Sequence, residues 1–162
     1  MVREGPRTTL HVRNDYNADG RSDLAVVNRV TGEWFIRGVA GELIVWSLPW
    51  GGPGLTPFAG DFDGDKAADI ASYFEPSGGW FIYSPLGRKV HLWNRLWGGV
   101  QYEPVWGDFT GAGHASMAVY SRATGQWFIE DAVWGLLWGG EEFDSVSGDF
   151  DGDSRFDLAV YD

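Results

Sequence analysis

Three short segments of this chain place oxygen-bearing side chains at one fixed spacing: Asp15-Tyr-Asn-Ala-Asp-Gly-Arg-Ser-Asp23, Asp61-Phe-Asp-Gly-Asp-Lys-Ala-Ala-Asp69 and Asp149-Phe-Asp-Gly-Asp-Ser-Arg-Phe-Asp157. Oxygens at positions 1, 3, 5 and 9 of a turning loop can converge on one hard cation, and a backbone carbonyl near position 7 completes such a shell. The candidate ligands are therefore Asp15, Asn17, Asp19 and Asp23 with the carbonyl of Arg21, Asp61, Asp63, Asp65 and Asp69 with that of Ala67, and Asp149, Asp151, Asp153 and Asp157 with that of Arg155. The chemistry expected of them is ligation of Ca2+ at about three sites.

The charge balance agrees. Eleven of the 23 acidic residues lie in these segments, and the remaining 12 equal the 12 basic residues, so the net charge of −11 is that of the three loops. Unneutralised carboxylates at such spacing repel one another and oppose folding. Acid-rich turns also occur without an ion, because Asp and Asn favour turns through local hydrogen bonds. That accounts for one loop more readily than for three of identical spacing.

The rest of the composition bounds the function. At 162 residues and 44% hydrophobic content the chain can build a real core. No apolar run approaches the roughly 20 residues of a membrane-spanning helix, and Met-Val-Arg-Glu-Gly-Pro lacks the apolar stretch of a secretory signal, although a removed signal or a longer parent chain stays open. With no cysteine there is no disulfide framework and no thiolate chemistry. A pI near 4.5 argues against nucleic acid as a partner.

The elements that must position the loops recur with them. Asp15 to Asp61 spans 46 residues and Asp61 to Asp108 spans 47, which registers a degenerate copy, Asp108-Phe-Thr-Gly-Ala-Gly-His-Ala-Ser116, with Thr110, Ala112 and Ser116 at ligand positions. The 108–116 loop is expected to bind no ion. Each loop precedes an apolar strand (Leu24 to Val27, Ile70 to Tyr73, Met117 to Tyr120, Leu158 to Tyr161). In the first three units a Gly-containing turn, a Trp-Phe-Ile strand (Trp34, Trp80, Trp127) and a run closing on Trp-Gly-Gly follow. Four strands in about 45 residues is the size of one propeller blade. The expected organisation is one all-β repeat domain over 1–162, with blades near 7–52, 53–99 and 100–140 and a half-blade at 141–162.

Gly60-Asp-Phe-Asp-Gly-Asp-Lys-Ala-Ala-Asp-Ile70 and Gly148-Asp-Phe-Asp-Gly-Asp-Ser-Arg-Phe-Asp-Leu158 resemble FG-GAP/VCBS-type repeats, the blades of integrin-α-like β-propellers. The resemblance implies calcium in the loop between the first two strands of a blade, the ligand positions named above, and an extracellular or cell-surface role in adhesion or recognition. The chain departs from it at loop position 6, where glycine is kept as Gly20 but replaced by Lys66 and Ser154, so those loops need a strained backbone or a different turn.

Three and a half blades do not close a ring, since closed propellers use four to eight. Either the chain is cut from a longer propeller, or copies associate, with a dimer giving about seven or eight blade positions and the edge at Leu158 to Tyr161 as an interface. Nine of the ten tryptophans fall on three repeat positions, as expected of contacts between neighbouring units. The Trp-Gly-Gly residues Trp50, Trp97 and Trp138 are the candidate glycan contacts, since indole faces stack on sugar rings. Trp106 alone lies outside this pattern. His11, His91 and His114 share no motif, and no nucleophile elbow or phosphate-cradling loop appears, so no enzyme activity is expected.

Overall fold

A computed structural model describes residues 14–162; His11 and the strand expected to lead into the first acidic loop lie outside the described residues. The described chain is all-β. It forms thirteen strands in four antiparallel sheets, each a meander. The first sheet contains β1 (Leu24–Val27), β2 (Glu33–Arg37) and β3 (Leu43–Pro49). The second contains β4 (Leu55–Gly60), β5 (Asp69–Phe74), β6 (Gly79–Ser84) and β7 (Lys89–Leu96). The third contains β8 (Glu103–Gly107), β9 (Ser116–Ser121), β10 (Gln126–Ile129) and β11 (Val133–Leu137), and the fourth β12 (Asp144–Gly148) and β13 (Asp157–Tyr161). None of the described residues forms a helix long and apolar enough to cross a membrane.

The sheets stack in chain order, and each of three cores fills the space between neighbours. Tyr16, Trp34 and Ile36 meet Trp50, Ala68 and Ile70 between the first and second sheets. Phe58, Tyr73, Trp80 and Ile82 meet Met117 and Val119 between the second and third. Ala118, Tyr120, Trp127 and Ile129 carry Leu158 and Val160 of the fourth. Burying aromatic and β-branched faces in this way is the main stabilising term. The 61–69, 108–116 and 149–157 loops each sit where the first strand of a sheet turns into the second, anchored on both sides by paired strands, and the 15–23 loop leads into β1.

The tryptophan rows separate by burial. Trp34, Trp80 and Trp127 are buried, and their Nε1 groups donate to the carbonyls of Trp50, Trp97 and Trp138 at 2.8, 2.9 and 2.8 Å. The turn glycines Gly32, Gly78 and Gly125 complete this lock. A Cβ at any of them would come within 2.4–2.7 Å of the backbone of Gly51, Gly98 or Gly139, which accounts for both the turn glycine and the Trp-Gly-Gly signature.

As a row of surface glycan contacts, Trp50, Trp97 and Trp138 need correction. Trp50 is buried and donates to Phe81 O, Trp97 is half-buried, and only Trp138 is exposed. The exposed row is Trp46, Trp93 and Trp134, at 72, 70 and 80%. The cause is a register shift in each outer hairpin, where Ser47, Asn94 and Gly135 adopt left-handed backbone beside these tryptophans. Each indole then packs edge-on against Phe35, Phe81 or Phe128, with ring centroids 5.2 Å apart and planes at 83°. Trp106 stacks on Phe58 and packs, half-buried, against the core between the second and third sheets.

Candidate metal centre

One hydrogen-bond pattern shapes every acidic loop. The position 1 carboxylate turns the chain around itself: Asp61 accepts from the N–H groups of Gly64 and Lys66, Asp149 from Gly152 and Ser154, and Asp15 from Asp19 and Gly20. Position 3 accepts from the N–H of position 5, and position 5 from that of position 7. The position 9 carboxylates, Asp23, Asp69 and Asp157, accept from the N–H of position 2 at 2.8, 2.8 and 2.9 Å. These Asx-type bonds are local, so loop shape follows directly from side-chain spacing.

Positions 4 and 6 are left-handed in all four loops, including Ala18, Lys66 and Ser154. The departures from glycine at position 6 therefore keep the same turn and carry strain, at a cost of about 1 kcal/mol each.

Asp61, Asp63 and Asp65 bring one carboxylate oxygen each to within 4.8 Å of one another, and so do Asp149, Asp151 and Asp153. These are the gathered acidic triads among the described residues. Asp69 and Asp157 stand beside them as the position 9 anchors. In the first loop Asn17 replaces one carboxylate, and its amide nitrogen donates to Glu42 at 3.2 Å.

Electrostatics distinguish these oxygens from ordinary turn caps. Burial pushes the Asp69 carboxyl up to about 7, and it raises those of Asp23 and Asp61 above the usual range, with neighbouring carboxylates adding to the effect. Burial works against ionisation of Asp63 as well. There the Lys89 ammonium, 3.3 Å away, and the N–H of Asp65 outweigh it and hold the carboxyl below its usual value. In both Asp23 and Asp69 one oxygen accepts from position 2 while the other, Oδ1, is buried without a hydrogen-bond partner. A buried lone carboxylate oxygen is costly. A cation is the group that fits it, so the donor set and the orphaned oxygens are consistent with a divalent ion held by carboxylates.

The degenerate loop keeps the frame and loses the ligands. Asp108 accepts from Ala112 and Gly113 N–H groups at 2.9 and 2.7 Å, and Gly111 and Gly113 are left-handed like their counterparts. Thr110, Ala112 and Ser116 bring no carboxylate.

Three features were not legible in the spacing. Glu42 and Lys89 hold one repeat position at the start of the outer strand and face the first and second loops with opposite charge. Ser84 donates to Asp65 from β6 at 3.4 Å. The loops are also joined in series, because the position 8 N–H of each donates to the position 1 carbonyl of the loop before it. Ala68 donates to Asp15, Ala115 to Asp61 and Phe156 to Asp108, at 2.6, 2.5 and 2.8 Å. Only the repetition of an apolar or small residue at position 8 could have hinted at this contact.

Residues 15–72 match the model of the FG-GAP-like repeat. No curated protein matches the sequence. Among solved structures, the V. cholerae biofilm matrix protein Bap1 is similar, with 19% identity and a TM-score of 0.42 over 91% of this chain. The chain spans 26% of that protein.

Proposed function

We propose that the FG-GAP-like repeat and its degenerate and partial copies form a non-catalytic, calcium-stabilised recognition module of propeller type that acts outside the cell. The observation that carries this reading is the pair of buried, unpartnered carboxylate oxygens on Asp23 and Asp69, two groups whose proton affinity burial raises, each beside further carboxylates of its own loop. Calcium would be held by Asp61, Asp63, Asp65 and Asp69, by Asp149, Asp151, Asp153 and Asp157, and by Asp15, Asn17, Asp19 and Asp23. Bound there, it supplies positive charge that relieves carboxylate repulsion.

The protein's own residues do the remaining work. They set the turns, aim the oxygens, and pass order from loop to loop through the backbone bonds at Ala68, Ala115 and Phe156. Binding is therefore cooperative along the chain, with the ion-free 108–116 loop as a connecting link. An ion that binds the folded loop stabilises the fold by about 2.7 kcal/mol per site at a hundredfold excess over its dissociation constant. Melting in calcium and again in chelator tests this, and an unchanged melt would overturn it.

The recognition reading includes self-association through the outer edge of β13, which pairs with no further strand among the described residues. Light scattering after gel filtration separates a dimer from a monomer. A lectin reading is favoured by the exposed row of Trp46, Trp93 and Trp134, and a glycan array with alanine at these positions tests it.

A further inference from the structure

The two junctions that flank the second sheet are built from matching repeat positions, yet they differ in kind. At the first, Ile44, Leu48 and Tyr83 pack onto the apolar core between the sheets, beside the fully buried Ala67. Forty-seven residues later in each case the chain has His91, Arg95, Glu130 and His114. Four apolar positions have thus become polar together, and they surround an open cleft of about 220 Å³ between the second and third sheets. Phe62, Leu92 and Met117 form its apolar wall, Ser116 and Asp131 complete its polar side, and an Arg95–Glu130 ion pair spans the two sheets. The cleft adjoins the loop that has lost its metal ligands.

We infer that this cleft is a binding site for a single sugar ring. Its chemistry narrows the ligand. Arg95 is already paired with Glu130 and Asp131 adds a further carboxylate, which disfavours an anion. Among the described residues the ligating side chains that converge within 4.8 Å are those of the acidic loops, so the cleft does not assemble a cation site. What remains is a neutral ligand that both donates and accepts hydrogen bonds and has an apolar face. The volume lies below the roughly 300–1,000 Å³ of sites for drug-sized ligands, which matches one ring. A pyranose whose hydroxyls donate to Glu130 and Asp131, accept from Arg95 and bond the two histidines, over the Phe62 and Met117 wall, satisfies all of these conditions. This deepens the recognition reading by naming a ligand class, and it does not depend on the calcium sites.

The experiment is saturation-transfer NMR on the whole chain in calcium, with the methyl glycosides of glucose, galactose, mannose and N-acetylglucosamine at millimolar concentration. Transfer to at least one of them is expected. It should fall about tenfold in His91→Ile and Glu130→Tyr, which restore the residues of the first junction, and in His114→Ala, an exposed change that leaves the fold intact. Trp93→Ala should leave it unchanged. Transfer to none of the sugars, transfer that survives all three cleft variants, loss confined to Trp93→Ala, or binding of zinc in place of sugar each overturns the inference. The calcium-dependent rise in melting temperature is measured on the same samples. Its presence with no sugar signal rejects the cleft alone, and its absence rejects the calcium reading instead.

Discussion

The 61–69 and 108–116 loops have nearly the same backbone and very different side chains. Both wrap around a position 1 aspartate, both are left-handed at positions 4 and 6, and both join the next loop through a position 8 N–H. Only the first has carboxylates at positions 3, 5 and 9. Loop shape and ligand set are therefore separable. One aspartate and two left-handed residues make the turn, while the other three carboxylates add repulsion that an ion must offset. The 108–116 loop keeps its turn without carboxylates at positions 3, 5 and 9, so the bonds those side chains accept in the 61–69 loop reinforce the turn but are not required for it.

Removing the shared aspartate from each loop breaks the comparison most severely. Asp108→Ala leaves two N–H groups without their acceptor and should cost about 1–3 kcal/mol in calcium and in chelator alike. Asp61→Ala should cost no more than that in chelator but about 2.7 kcal/mol more in saturating calcium, because it also removes a ligand. Thermal melts of both variants in both buffers provide the check, and equal calcium dependence would refute the distinction.

Installing the missing ligands sharpens it. With Thr110→Asp, Ala112→Asp and Ser116→Asp together, the degenerate loop has the full oxygen set on a frame already in place. Calorimetric titration should then count one more calcium per chain than in the parent, and an unchanged count would show that the frame differs where it matters.

A further effect comes from protons. In the folded chain without calcium, burial holds the Asp69 carboxyl near 7, against about 4 for a free side chain. The folded state then binds the proton more tightly than the unfolded state. Its contribution is present below about pH 4 and is lost as pH rises through about 7. Calcium must displace that proton, so the calcium-induced melting shift should grow across the same window. Asp69→Asn should flatten the calcium-free profile. Ser116, its counterpart in the degenerate loop, has no carboxyl to titrate.

The smallest expected effect is backbone strain. Lys66→Gly and Ser154→Gly should each stabilise the protein by about 0.5–1 kcal/mol, since glycine occupies the left-handed region without a Cβ penalty. Gly113→Ala in the degenerate loop should do the reverse, and melts in chelator compare the three.

How much of this was legible follows from the range of the interactions. The acidic loops could be read residue by residue, because their bonds join groups two to seven residues apart, as Tyr16 to Asp23 shows. The strands after each loop were legible for the same reason, since apolar alternation and turn glycines act locally. The tryptophan rows were not. Trp46 and Trp50 look equivalent in the chain, and a single left-handed residue, Ser47, sends one to the surface and leaves the other in the core.

The sequence by itself determined the repeat, the ligand spacing, the charge concentrated in the loops and the loss of ligands at 108–116, because each is a property of residues near one another in the chain. Tertiary structure alone decided the pairing of Lys89 with Asp63, the bonds that join successive loops and the meeting of His91, His114 and Glu130 in one cleft. Those contacts connect residues from about 15 to more than 50 positions apart. Their formation depends on how one sheet stacks on the next, which the burial of the aromatic cores sets and no local spacing specifies.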